Sequence, residues 1–132
     1  MSTEKSDYLL LFRNTTWLRE RSPDEIQTTM TAWMDWFNGL IEDGRCKGGQ
    51  SLAPEGKILS FTGNGVSDGP FTESKEAVAG YFLLHVAGLD EALEIARDCP
   101  GLPYGVTCEV RPLLARCKAS ELVREQQLAA GV

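Results

Sequence analysis

Apolar residues recur along the chain with two different spacings, which distinguish strands from helices. Residues 77–87 place apolar side chains on both faces in alternation and form the longest predicted strand. Residues 8–13 form a shorter predicted strand that is apolar on both faces, so we expect both faces to be covered. Further strands are predicted over residues 57–62 and 106–111, and a weak strand begins at Cys46.

The first predicted helix follows the strand at residues 8–13. Ser22 and Glu25 have the spacing of a capping box, with Pro23 at the first helical position. Gly44 is the predicted left-handed residue at the end of this helix. Its apolar face consists of Ile26, Met30, Trp33, Phe37, Leu40 and Ile41.

A second helix is predicted over residues 89–99, after the longest strand. Its predicted buried face consists of Leu89, Leu93, Ala96 and Cys99. Pro100 ends it, because proline cannot continue the hydrogen bonds of a helix. A mostly polar helical extension is predicted over residues 118–130, at the C-terminal end of the chain.

The middle of the chain contains two turn signals. Asn64-Gly65 is typical of a tight hairpin that follows the strand at residues 57–62. Asp68-Gly69-Pro70 is predicted to form a second turn, because Asp bonds its own backbone and Pro fixes φ. Residues 72–76 then supply hydroxyl, carboxylate and ammonium groups. These residues either begin a helix, with Thr72 as its cap, or form the wall of a small polar pocket.

The order of elements is strand, helix, hairpin-like strands, strand, helix and strand. This order is typical of an α+β protein in which helices cover one face of an antiparallel sheet. The other face of the sheet would then expose Leu83 and the apolar residues of the first strand to water. A symmetric homodimer that packs sheet against sheet is the simplest arrangement that covers them.

Length and charge limit the classes of function. A chain of 132 residues is long enough for one domain with one core. The net charge of −6 argues against direct binding to nucleic acid or to an anionic membrane surface. No apolar run approaches the roughly 20 residues that span a bilayer. The first residues lack the apolar stretch of a signal peptide, so we expect a cytoplasmic protein.

The four cysteines, Cys46, Cys99, Cys108 and Cys117, have no C-x-x-C spacing, and the chain has one histidine, His85. A typical zinc site takes four ligands at characteristic spacings, so we expect no metal and no cofactor. In a cytoplasmic protein we expect the thiols to stay reduced and to pack as small hydrophobic groups.

Short motifs in a fixed order carry a resemblance to a known family. They are Gly48-Gly49, Asp68-Gly69-Pro70-Phe71, Thr72-Glu73-x-Lys75-Glu76, Gly80-Tyr81, Leu89-Asp90-Glu91-Ala92 and Val110-Arg111-Pro112. In this order they resemble the YCII-related family, specifically its DGPF-domain branch. The resemblance runs over residues 8–114. It implies that residues 1–132 form a single domain of this type, with a core of about residues 7–114.

The family implies a ferredoxin-like fold of the dimeric α+β barrel type and a cleft lined by the DGPF region. It does not imply an established reaction. Members of the wider YCII group carry a histidine on the first helix that is thought to pair with an aspartate. Here that helix contains no histidine. The resemblance therefore implies no His–Asp acid–base pair at that place.

The predicted site surrounds the DGPF stretch. Asp68 is the candidate catalytic residue, because a rigid turn would fix its carboxylate beside an aromatic ring. The predicted ligand-binding residues are Arg13, Phe71, Thr72, Glu73, Tyr81 and His85. In the alternative interpretation, Asp68 only stabilises its own turn, and His85 is a strand residue satisfied by one hydrogen bond.

Two functions follow from these residues and from the resemblance. The first is the binding or transformation of a small molecule in a cleft around the DGPF stretch, and the residues alone do not separate binding from catalysis. The second is a non-catalytic regulatory role, because DGPF proteins look like companions of extracytoplasmic-function sigma factors. A direct role in DNA binding is disfavoured by the negative charge.

Overall fold

The computed structural model describes residues 4–63, 65–70, 77–115 and 117–131, with the backbone alone for residues 62 and 66–70. Its strands are β1 (Ser6–Arg13), β2 (Cys46–Ser51), β3 (Lys57–Thr62), β4 (Gly65–Pro70), β5 (Val78–Val86) and β6 (Thr107–Pro112). Its helices are α1 (Trp17–Glu20), α2 (Pro23–Glu42), α3 (Leu89–Arg97) and α4 (Lys118–Ala129), with a 3-10 turn at Leu102–Tyr104. Strands β1, β2, β3, β5 and β6 and helices α2, α3 and α4 form where the sequence predicts strands and helices, whereas β4 includes residues predicted to form a turn.

The main sheet has four antiparallel strands in the order β2-β5-β1-β6. Helix α2 lies between β1 and β2 in the chain, and α3 lies between β5 and β6. This connection order is the split β-α-β arrangement of ferredoxin-like proteins. β3 and β4, which lie between β2 and β5 in the chain, form a separate two-stranded antiparallel sheet, called the ribbon below. The architecture confirms the predicted α+β fold with an antiparallel sheet.

The core lies between the sheet and helices α2 and α3. Leu10, Leu84 and Val86 are completely buried on the sheet face that carries the helices. A cluster of aromatic rings fills the same layer, with neighbouring centroids 4.8 to 6.0 Å apart. Its members are Phe12, Trp33, Trp36, Phe37 and Phe82. Alternation along β1 and β5 sends every second side chain into this core and the others to the opposite face.

The ends of α2 form as the sequence predicts. The Ser22 side chain accepts a hydrogen bond from the Glu25 backbone N–H, and the Glu25 carboxylate accepts one from the Ser22 backbone N–H, both at 3.2 Å. These two bonds complete the capping box, which satisfies backbone donors that the helix itself leaves without partners. Gly44, just beyond the helix, has a φ of +73°, so the predicted left-handed end is confirmed.

The buried face of α3 differs from the prediction. Leu89 is 47% exposed, and the buried positions are Ala92, Ile95, Ala96 and Cys99. The small side chains of Ala92 and Ala96 face the sheet, where they allow close packing of the helix. Periodicity identifies the repeat of the helix but does not determine its rotation about its axis, so the prediction for Leu89 was wrong.

The Asp68-Gly69-Pro70 stretch belongs to a strand, so the turn predicted there is not formed. In β4, Asp68 lies opposite Leu59 and Pro70 lies opposite Lys57 of β3. Proline is tolerated here because it is the last residue of a strand at the edge of a two-stranded ribbon. The hairpin predicted after β3 is confirmed by the antiparallel pairing of β3 with β4, in which Thr62 lies opposite Gly65, while Asn64 lies outside the described residues.

The ribbon exposes large apolar side chains. Ile58 is 56% exposed, Leu59 is 67% exposed and Phe61 is 79% exposed. Their positions alternate between the two faces of β3, so both faces of this strand carry exposed apolar area. Helix α4 has no buried residue. Within the described ranges, no helix is both long and apolar enough to cross a bilayer.

Candidate functional site

A cavity of about 500 Å³ lies between α2 and the ends of β1, β2 and β5. The apolar part of its wall includes Phe12, Met30, Trp33, Met34, Phe37 and Phe82. Most of the lining surface is apolar, and the volume lies within the range of small-molecule sites. Met34 is 50% exposed, which places it at the mouth rather than at the floor.

The segment after β1 closes one end of the cavity, and the hydrogen bonds of Asn14 hold this segment in place. Asn14 has a φ of +74°, a left-handed conformation that Asn adopts more readily than most residues. Its side-chain amide donates to the Gly105 carbonyl at 2.9 Å, and its Oδ1 accepts from the Thr16 backbone N–H and hydroxyl. These bonds join the segment that carries Trp17 to the loop before β6.

Trp17 is 4% exposed and lines the cavity. Its ring stacks on Tyr104 with centroids 5.8 Å apart, and the Arg21 guanidinium lies 4.5 Å from the centre of the same Tyr104 ring. Stacking on Tyr104 fixes the position of the Trp17 ring, so Trp17 presents a rigid apolar surface to the cavity. Trp17 is therefore a core residue that also forms part of the cavity wall.

Polar groups are few around the cavity, and they include Arg13, Gln50 and Ser51. The Arg13 Nε and a terminal nitrogen donate to Glu109 Oε1 at 3.3 and 3.2 Å. The Arg13 side chain is 28% exposed, so this ion pair is partly shielded from water. The arrangement therefore combines a broad apolar wall with a small polar border, which is typical of sites for small molecules.

The opposite face of the sheet carries a separate cluster around Asp7. The His85 Nδ1 lies 2.8 Å from Asp7 Oδ1, and the Lys47 ammonium donates to the same carboxylate at 3.1 Å. The register of β1 on β5 brings Asp7 and His85 together, because the two residues lie opposite each other. The hydrogen bonds from His85 and Lys47 hold the pKa of the Asp7 carboxyl below its usual range, so Asp7 is ionised at neutral pH.

The residues predicted for the site fall into four groups. Arg13 lines the cavity, whereas Tyr81 and His85 lie on the sheet face away from α2. Asp68 lies in β4 with its backbone described. The remaining predicted residues, Phe71, Thr72 and Glu73, lie outside the described residues. Ala77, the first described residue after this segment, lines the cavity.

Two features of these surfaces are absent from the sequence-based prediction. Met30, Trp33 and Phe37 appear there on the apolar face of the first helix, because their spacing is the same for a core face and for a cavity wall. Asp7 is not singled out by the sequence, because its contact with His85 depends on strand register. Among the described residues, no cluster of His, Cys, Asp and Glu is arranged to hold a metal ion.

Topology and cavity define a small ferredoxin-like α+β protein with an apolar pocket between its long helix and its sheet. The profile of the YCII-related domain family matches residues 11–113, from the middle of β1 to just beyond β6. The chain therefore belongs to the YCII-related family.

A relative with a curated sequence is an uncharacterised protein of Rhizobium meliloti (strain 1021). It is 50% identical over 58 residues, which are 43% of this chain and 46% of that protein. The matched part is thus about half the length of that relative. Family membership and this similarity identify the class of protein but not its function.

Proposed function

We propose that this protein binds a small, predominantly apolar molecule in the cavity beneath α2. The observation that carries the proposal is a space of about 500 Å³ whose wall contains several aromatic rings and the side chains of Met30 and Met34. Aromatic and methionine side chains adapt well to flat apolar ligands. A well-packed core would fill such a space with its own side chains, because cavities are costly to stability.

The DGPF stretch is proposed to supply the polar side of the same site. Its chain position supports this assignment, because Pro70 ends β4 and Ala77 already lines the cavity. In this proposal Asp68 and Glu73 provide carboxylates, Phe71 adds an aromatic surface, and Thr72 adds a hydroxyl. Arg13 lines the cavity at the end of β1, but its guanidinium pairs with Glu109 on the sheet face that also carries Tyr81 and His85.

Charging the mouth of the cavity should abolish binding of apolar ligands without unfolding the protein. We expect Met34→Glu to weaken the binding of 2-naphthol, used as an apolar probe, by roughly tenfold or more. The reason is that a carboxylate at the mouth must lose part of its water shell when the probe enters. Isothermal titration calorimetry measures the affinity, and circular dichroism confirms the fold.

The matched control is Leu122→Glu in α4, because Leu122 is 48% exposed and does not line the cavity. It should bind the probe as the unchanged protein does. Equal affinity in Met34→Glu and Leu122→Glu would contradict the proposal.

Asp68→Asn serves as a third variant. If it weakens binding at an unchanged melting temperature, the DGPF stretch contributes to the site, and if it changes stability alone, Asp68 has a structural role.

We also propose that the protein is a homodimer that joins the sheet faces opposite the helices. The support is a row of apolar side chains, Leu9, Leu11 and Leu83, between charged groups at both ends of that face. Asp7 lies beside Lys47 at one end, and Arg13 lies beside Glu109 at the other. Each end carries both signs of charge, so two copies related by a two-fold axis can pair opposite charges.

A charge in the middle of this face should separate the two copies. At micromolar concentration the unchanged chain is expected to sediment at about twice its 14.5 kDa mass. Leu83→Glu should sediment as a monomer, because a dimer would bury two unpaired carboxylates. Leu59→Glu, on the exposed ribbon, is the control and should remain a dimer. A monomeric unchanged chain would refute the proposed interface.

The regulatory function is the second candidate, and one observation favours it. The ribbon exposes Ile58, Leu59 and Phe61 together, and exposed apolar area of this kind is typical of protein-binding surfaces. Mass spectrometry of the protein purified from its own cells separates the two functions. Release of a bound small molecule supports the cavity. A stable complex with an extracytoplasmic-function sigma factor and no released molecule supports the regulatory partner.

A further inference from the structure

The cavity has a closed end and an open end, and the burial of its lining residues distinguishes them. At the closed end, Trp17 and Val106 line the cavity and are each 4% exposed. At the open end, Met34 is 50% exposed and Leu52 is 46% exposed. A molecule that enters through the open end would therefore meet the Trp17 ring last.

The order of the strands gives the length of the cavity across the sheet. Leu52 follows β2 at one edge of the sheet, and Val106 precedes β6 at the other edge. Neighbouring strands lie about 4.8 Å apart, so the axes of β2 and β6 are separated by about 14 Å. The Trp17 ring takes up part of this length, which leaves room for about two fused aromatic rings.

The Trp17 ring is restrained from behind. It stacks on Tyr104, and the Asn14 side chain donates to the Gly105 carbonyl at 2.9 Å. This hydrogen bond ties the segment before Trp17 to the loop that carries Tyr104. Because a movement of the ring would disrupt the stacking and strain this connection, Trp17 keeps its position when a ligand arrives.

Polar groups are placed differently at the two ends of the cavity. Gln50 and Ser51 belong to β2 and line the cavity at its open end. The Asn14 side chain, near the closed end, already makes hydrogen bonds to Gly105 and Thr16. Burying a polar group without a hydrogen-bond partner is costly, so a ligand would enter with its apolar rings first.

We propose that Trp17 limits the length of the ligand, so that the cavity selects flat molecules of about two fused rings with a polar group at the end nearest β2, a selectivity that rests on the proposed binding of an apolar molecule. A third fused ring would overlap the Trp17 ring. A rigid pocket discriminates against even one additional methylene by about tenfold or more. Trp17 is therefore the specificity-determining residue of the site.

Equilibrium dialysis of the full chain with 2-naphthol and with 2-hydroxyanthracene measures this selectivity. The two probes carry the same hydroxyl group and differ by one fused ring. On an open apolar surface the longer probe would bind more tightly, because it buries more apolar area. We expect the opposite order here, with 2-naphthol bound roughly tenfold more tightly or better.

Trp17→Phe shortens the side chain at the closed end and should shift the ratio of the two affinities roughly tenfold towards 2-hydroxyanthracene. Trp36→Phe is the matched control, because it removes the same atoms from a ring of the aromatic cluster that does not line the cavity. It should leave the ratio unchanged. Circular dichroism verifies the fold of each variant. If Trp17→Phe fails to fold, Val106→Ala enlarges the same end and should shift the ratio in the same direction.

The outcomes distinguish a failure of the length limit from a failure of the proposed function. Binding of 2-hydroxyanthracene to the unchanged protein as tightly as 2-naphthol would refute the limit and leave the binding site in place. An unchanged ratio in folded Trp17→Phe and in Val106→Ala, or an equal shift in Trp36→Phe, would refute it as well. If neither probe binds the unchanged protein, the proposed function and the length limit are both wrong.

Discussion

Phe82→Ala is expected to lower the free energy of unfolding by about 3–5 kcal/mol, as deletion of a buried aromatic ring generally does. Phe82 is 6% exposed. Its ring centroid lies 4.8 Å from those of Phe12 and Phe37 and 4.9 Å from that of Trp36. Removing the ring leaves a void that these large neighbours cannot fill without leaving their rotamers. Urea denaturation followed by circular dichroism measures the loss.

The matched control for this change is Phe61→Ala. Phe61 is 79% exposed on the ribbon, so the same atoms are removed from a side chain that contacts mainly water. Its stability should change by no more than about 0.5 kcal/mol. If both variants lost equal stability, the placement of Phe82 at the centre of the aromatic cluster would be wrong.

Gly49→Ala is expected to destabilise the protein by about 1–3 kcal/mol, the usual effect of adding an atom where packing leaves no room. Gly49 of β2 pairs with Phe82 of β5. A Cβ at Gly49 would overlap the backbone oxygen of Tyr81 and would lie 2.8 Å from Phe82 Cδ1. Backbone atoms of a central strand cannot move away cheaply, so β2 must shift. Thermal and urea denaturation both measure the effect.

Gly39→Ala is the control, with the opposite expected sign. Gly39 lies in α2, and a Cβ there would have no heavy atom within 4 Å. Alanine restricts the unfolded chain and favours the helix, so this variant should gain about 0.5–1 kcal/mol. A loss of stability in Gly39→Ala, or none in Gly49→Ala, would contradict the close approach of β2 to β5.

The positions of Phe82 and Gly49 show which features of the fold follow from local sequence patterns and which follow from tertiary packing. The pair Gly48-Gly49 indicates close approach to a strand or to a ligand, and the sequence leaves both open. The structure shows the strand, because Gly49 faces the β5 backbone. Likewise, the helical spacing of Trp33 and Phe37 predicts an apolar face, and the structure divides that face between a packed core and the cavity.

The sequence by itself determined the features that depend on neighbours within a few residues. A short apolar run predicted β1, the long run of strand residues predicted β5, the Ser22–Glu25 pair predicted the start of α2, and Asn64-Gly65 predicted the hairpin. Each involves contacts within one turn or one strand, and its chemistry is therefore present in a short window of sequence. The order of these elements was sufficient for the α+β fold.

Tertiary structure alone decided the features that join distant segments. Strand pairing overrode the turn signal of Asp68-Gly69-Pro70, because β4 gains hydrogen bonds along β3. The rotation of α3 exposed Leu89, and the register of β1 on β5 placed Asp7 against His85. Such contacts depend on how whole elements pack, and no local spacing of residues records that packing.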